Sequence, residues 1–390
     1  MKKKNLFGWL AMATMLVGTG CSTDEVVNDY SPENAIQFGT YVGRDAGSRA
    51  SVFDESVMGG ATGKGFGVFA YHTSGNYSTD VAFNANFMNN QKVTSVLQGN
   101  DYVWSYDPVK YWPNNSADRV SFIAYAPYVE NKTFNQNQPG MIDFTVTNDV
   151  KSQTDLVWAN ALNKSKQAIN DSVKFQFAHA LSRIGFNISL AVDATTKEEG
   201  DLDQNTTIYV DKIELSSAFY ESGILDLRQT TTTSWYPSGS QGFVLDYVYD
   251  TTITPAATNN NTTELQNNIF DGAIEDIETE KQLNKDDSYI MIIPKSNTVF
   301  TLTVTYRVFT KDEALTNTVP EQGNEVKGSL VTNVIPIELT QDFEAGKAYT
   351  YNIILGMTSV KVNTNVTPWD EQEAKDVEAT ENTENQGTNS

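Results

Sequence analysis

Short runs in which apolar and polar residues alternate recur along most of the chain. Ile142-Asp143-Phe144-Thr145-Val146 and Val173-Lys174-Phe175-Gln176-Phe177 repeat every second position, the spacing that puts alternate side chains on one face of a strand. Ala35-Ile36-Gln37-Phe38-Gly39-Thr40 predicts the first strand, and further strands are predicted at 208–215, 242–249, 289–293, 299–308, 331–339 and 349–362. Phe66-Gly67-Val68-Phe69-Ala70-Tyr71 is apolar between the alternating positions too, which predicts a strand buried on both sides or one that crosses another. Val120 to Ala126 is a strand stopped by Pro127, and Leu156-Val157-Trp158-Ala159 is a short apolar run. Thr/Asn-rich loops are predicted at 229–240 and 251–264. Helical spacing is sparse, and its best instance, Glu371 to Ala379, is no more than a frayed turn. The pattern predicts an all-β chain whose strands divide near 165–172 into two β-sandwiches, 35–168 and 169–370.

The flanks read differently. Lys2, Lys3 and Lys4 precede an apolar run from Leu6 to Val17, which ends in Gly18-Thr19-Gly20-Cys21. The run is shorter than the roughly 20 residues that span a bilayer, so residues 1–20 are read as an export signal. Cys21 is the only cysteine and follows small residues, which marks it for lipidation and so for tethering to a membrane surface. Residues 21–34 form a polar, acidic spacer, and 371–390 an acidic tail with almost no apolar residue, expected to be disordered.

Charge and chemistry narrow the function. The net charge is −22, and it becomes about −25 once residues 1–20, with three lysines and no acid, are removed. A surface that acidic repels nucleic acid. With an acylated Cys21 and two histidines, His72 and His179, neither a disulfide nor a structural zinc site is expected. The Gly59–Gly65 loop fails as a phosphate loop, because Met58 replaces the first glycine and Gly65 the Ser/Thr after Lys64. The loop from Asp201 fails as a calcium loop at Thr206 and Lys212. No G-x-S-x-G accompanies His179, which is expected to hydrogen-bond inside a sandwich, while His72 is expected at the surface. No cofactor, no metal and no catalytic role are expected. The acidic pairs Asp54/Glu55, Glu198/Glu199 and Asp286/Asp287 are the only argument for a hydrolase. Trp104, Tyr106, Tyr111, Trp112, Trp235 and Tyr236 offer an alternative, a sugar-stacking platform on a monomeric surface lipoprotein.

Arg44 and Arg49 lie in a polar, glycine-containing loop after the first strand, the kind of segment that proteases cut. A cut there frees the lipid anchor together with Ile36 and Phe38. A sandwich that loses such a strand binds one from another molecule.

Taken in order, these segments resemble a known family. Ile36-Gln37-Phe38 with Ser48-Arg49-Ala50, then Phe66 to Tyr71, Tyr111-Trp112-Pro113 with Val120 to Pro127, Phe177 to Ile184, and Val366-Thr367-Pro368-Trp369 resemble the fimbrillin family, the lipoprotein pilins of Bacteroidetes type V pili. Ser22-Thr23-Asp24-Glu25 resembles the surface-export signal of lipoproteins from that phylum. The resemblance implies two tandem transthyretin-like β-sandwiches and a precursor anchored in the outer membrane through lipid on Cys21. It implies cleavage after Arg49 to leave Ala50, with Arg44 the second choice. The strand with Ile36 and Phe38 is then displaced, and a donor strand from another pilin subunit, of the same or a different kind, takes its place. The donor is expected around Val360 and Val362. The implied protein is a non-enzymatic stalk, tip or anchor subunit of a surface fimbrium, with a host or bacterial surface ligand as a further partner.

Overall fold

The computed structural model describes residues 32–42, 58–59, 63–78, 84–135, 138–147, 152–166, 172–190, 205–217, 219–229, 232–238, 268–271, 281–282, 289–321 and 324–369. They are almost entirely strand. The first eight are β1 (Gln37–Val42), β2 (Phe66–Ser74), β3 (Met88–Gln98), β4 (Asp101–Ser105), β5 (Asp118–Ala126), β6 (Met141–Thr145), β7 (Val157–Lys164) and β8 (Ser172–His179). Then follow β9 (Ser182–Leu190), β10 (Thr206–Ser217), β11 (Ser222–Asp226), β12 (Ser234–Ser238), β13 (Asn268–Asp271), β14 (Lys281–Gln282), β15 (Ile290–Ile292) and β16 (Thr298–Lys311). The last are β17 (Thr318–Glu321), β18 (Asn324–Gln341), β19 (Lys347–Leu355) and β20 (Val360–Pro368). Among the described residues no helix is long and apolar enough to cross a membrane.

A seven-stranded sheet runs β1-β8-β7-β5-β2-β3-β4. It curls until its two edge strands meet, where the Trp104 indole N–H on β4 donates to Thr40 Oγ1 on β1 at 2.9 Å. The central strands β2 and β5 explain why Phe66–Tyr71 is apolar without interruption. Phe66, Val68 and Ala70 join Val120, Phe122 and Ala124 in an inner core, and Phe69 and Tyr71 join Ile123 and Tyr125 in an outer one. The outer core needs a second cover, and a three-stranded sheet, β12-β11-β6, supplies it. This sheet pairs β6, from before residue 169, with β11, from after it. Leu225, Met291, Ile293 and Trp369 share the outer core with Ile142.

The rest is two five-stranded sheets, β13-β10-β16-β18-β17 and β14-β9-β19-β20 with β15 also on β9. Ile184, Phe186, Val210, Leu302, Tyr351 and Ile353 belong to the core between them. β17 pairs with only the first four residues of β18, so β18 from 329 to 341 has no strand on that side among the described residues. Val334 is 58% exposed there, and Pro336, which brings no N–H, and Glu338 blunt the ladder against strangers.

Three expectations change. The single strand expected over 349–362 is a hairpin: Gly356 donates to the Ser359 carbonyl at 2.7 Å and turns β19 back into β20. The loop expected over 229–240 contains β12, whose Trp235 packs against the outer core. β3 and β4 occupy a stretch read only as aromatic, because β3 (MNNQKVTSVLQ) buries just Met88 and Val93 and so carries no clear alternation. The strand expected at 242–249 and the acidic tail lie outside the described residues.

Two predictions follow from this packing. Gly67 lies opposite Tyr125, and a Cβ there would meet the Tyr125 ring at 2.5 and 2.7 Å. Tyr125 is 1% exposed and has no room to retreat. Gly67→Ala therefore lowers urea stability by about 1–3 kcal/mol, as overpacking does; an unchanged midpoint contradicts this packing. At the end of β11, burial alone would push the Asp226 carboxyl up, but the Arg228 guanidinium and the Gln229 amide donate to it and hold it below the ordinary carboxylate range. The folded state thus keeps Asp226 ionised where the unfolded chain protonates it. Its stabilisation is complete above about pH 4 and is lost as pH falls through the lowered value. Acid-unfolding curves of Asp226→Asn lack that part of the slope.

Candidate assembly site

The chain from 34 to 42 lies in a slot, bonded on both sides. On one side β1 pairs with β8 in parallel, Gln37 opposite Ser172 through Val42 opposite Phe177; the five other neighbouring pairs of this sheet are antiparallel. On the other side the Ile36 amide donates to the Lys110 carbonyl at 2.8 Å, and the Trp112 amide to the Asn34 carbonyl at 3.0 Å. The Tyr106 hydroxyl donates to the Ile36 carbonyl at 2.8 Å. Burial pushes the Tyr106 phenol up to about 12, so it remains a protonated donor at neutral pH.

Period-two alternation puts Ile36 and Phe38 into the slot and Gln37 out of it. Ile36 is 1% and Phe38 7% exposed. The Phe38 ring sits 5.3 to 6.1 Å from the rings of Phe66, Tyr106, Phe122 and Phe175. The slot is therefore an aromatic trough that accepts an extended strand with bulky residues at alternate positions. Trp104, Tyr106 and Phe175 line it, and of these only Phe175 had a clear signal in the sequence, the alternation of 173–177.

The aromatic platform does not form. Trp104, Tyr106 and Trp112 pack on the inner core, Trp235 packs on the outer core and donates to the Ala180 carbonyl at 2.7 Å, and only Tyr236 of the six rings is exposed. Large rings were needed to fill two cores. His72 is at the surface end of β2, with Nε2 2.7 Å from Asp118. His179 is buried as expected, and its Nδ1–H donates to Asp155 Oδ2 at 2.7 Å.

Val360 and Val362 lie on β20, half-buried against the C-terminal core. Among the described residues β20 pairs only with β19, so it is an edge strand, and Lys361, Asn363 and Thr364 face solvent. Trp369, directly after it, is 3% exposed. Cys21, Arg44, Arg49, Ala50 and the three acidic pairs lie outside the described residues. Among the described residues no cluster of three or more His, Cys, Asp or Glu side chains is placed to hold a metal.

Truncating Phe38 empties the centre of the trough. Phe38→Ala costs about 3–5 kcal/mol by urea unfolding, and β1 amides then exchange with solvent faster than those of β5. Equal protection in both strands would mean that the ring does not hold β1.

A family model described as fimbrillin-like matches residues 49–369. A comparison with curated protein sequences gives no match. Among solved structures, a fimbrial protein from Bacteroides vulgatus superposes with a TM-score of 0.62 at 20% identity, over 86% of this chain and 100% of that one. A candidate cell adhesion protein from Bacteroides uniformis gives 0.43 at 15% identity over 87% of this chain and 99% of that one. One from Bacteroides ovatus gives 0.43 at 14% identity over 87% and 99%.

Proposed function

The chain belongs to the fimbrillin-like family, which makes it a pilus subunit or adhesin of the cell surface, and we propose that it assembles by exchanging strands. In this reading Cys21 is lipidated and holds the precursor on the outer membrane. A protease cuts after Arg49, or after Arg44, and the segment carrying Ile36 and Phe38 leaves the trough. A strand from another pilin subunit then fills it, and β20, with Val360 and Val362, is the strand this chain offers in turn. Residues 35–168 and 169–370 act as two transthyretin-like β-sandwiches, joined where β8 and β11, from after residue 169, pair with β1, β7 and β6.

The observation that carries the reading is the slot itself. β1 pairs with β8 along its length, Asn34 and Ile36 just before it bond to Trp112 and Lys110, and the side chains of Ile36 and Phe38 fill an aromatic trough, so removal of this segment leaves a shaped strand-binding site. Parallel pairing also suits a strand that is inserted, because it does not require a hairpin connection to its neighbour.

The test is electrophoresis of protein taken from its native cell surface, with and without boiling. The expected result is an SDS-resistant ladder that collapses on boiling to one band with Ala50 at its N-terminus, and loss of that ladder in Arg49→Gln. A single unboiled band that still carries acylated Cys21 overturns strand exchange and leaves a solitary lipid-anchored adhesin.

A further inference from the structure

β20 is held by its ladder to β19 and by Val360 and Val362 on the core, but its middle is open to solvent. Val366 is 46% exposed, and residues 363 to 366 all face solvent. Its end is different. The Trp369 indole stacks on the imidazole of His179, with 4.3 Å between ring centroids and 2° between planes. The Arg183 guanidinium lies 5.3 Å from the same indole and 4.5 Å from the ring of Tyr289. The Trp369 amide donates to the Gly346 carbonyl at 2.8 Å.

The imidazole cannot turn to release the indole. Asp155 accepts from His179 Nδ1 through Oδ2 and from the Leu156 amide through Oδ1, each at 2.7 Å, and the two side chains are 2% and 0% exposed. Asp155 and His179 lie at the foot of the β7–β8 hairpin, where Val157 pairs with His179. The ring that ends β20 is thus seated partly on β8, a strand of the seven-stranded sheet, and partly on β9 of its own sheet. The seat is not fully satisfied: Trp369 Nε1–H is buried with no acceptor among the described residues. A large buried face favours retention and an unsatisfied donor opposes it.

We infer that Trp369 is a latch: its seating on His179 and Arg183 keeps β20 in its own sheet, and its release frees β20 for a second copy of the chain. The latch is an intramolecular property. Its consequence for assembly rests on the reading of β20 as the donor strand.

The test uses the full chain as wild type, Trp369→Ala, Trp369→Phe and Arg183→Met. Hydrogen exchange is followed at β20, with β16 as an internal reference. In Trp369→Ala, exchange at β20 rises about tenfold or more while β16 is unchanged, the pattern of local opening. Arg183→Met shows the same selectivity to a smaller degree, and Trp369→Phe stays near wild type. Unchanged exchange at β20, or acceleration of β16 and β20 together, overturns the latch. If Trp369→Ala does not fold, Arg183→Met decides by the same criterion. SDS-resistant ladders are then compared after arginine-specific cleavage. More ladder in Trp369→Ala supports the assembly consequence. Selective opening of β20 with no gain in ladder keeps the latch and removes β20 as the donor.

Discussion

A sheet that is apolar on both faces has to be covered twice, and the arrangement of this molecule follows from that requirement. β2 and β5 send alternate side chains into two cores, so neither face can meet water. The inner face is covered by curling the sheet until β1 and β4 touch. The outer face is covered by β6, β11 and β12, together with Met291, Ile293 and Trp369 from farther along the chain. Burial at roughly 25 cal/mol per Å² of apolar surface favours this closure over two independent bodies. Residues at distant positions in the sequence become parts of one core.

The sequence was most legible where a strand's apolar pattern matched the number of cores it faces. The alternation in 142–146 and 173–177 appears as β6 and β8, and the double-sided run at 66–71 appears as the centre of the large sheet. The trough was half legible. Ile36 and Phe38 showed through their spacing, but Trp104 and Tyr106 left a sugar platform open beside the core reading, because ring content does not reveal which way a ring faces. The β6–β11 pairing was not legible. Nothing local distinguishes a short strand that pairs inside its own half from one that pairs across 80 residues of chain. The β19–β20 turn was missed for the opposite reason: Gly356-Met357-Thr358-Ser359 interrupts two apolar stretches so briefly that they read as one.

Seated in the trough, β1 satisfies the groups of β8 that face it and fills the aromatic cavity, so β8 presents no open edge there. Edge strands are the usual route to unwanted pairing. Here a strand of the chain itself holds the place, and the exposed outer side of β18 is blunted separately by Pro336 and Glu338.

The trough and β20 lie in different sheets and do not resemble each other. A contact that joins one to the other therefore cannot be the self-matching kind that closes a twofold dimer. In the proposed strand exchange, each added copy presents again the surface that the last one used. A row built this way has a direction, with an empty trough at one terminus and an unused strand at the other, so its two ends are chemically distinct objects. Whatever starts the row and whatever stops it must then be different molecules, or differently processed forms of the same one.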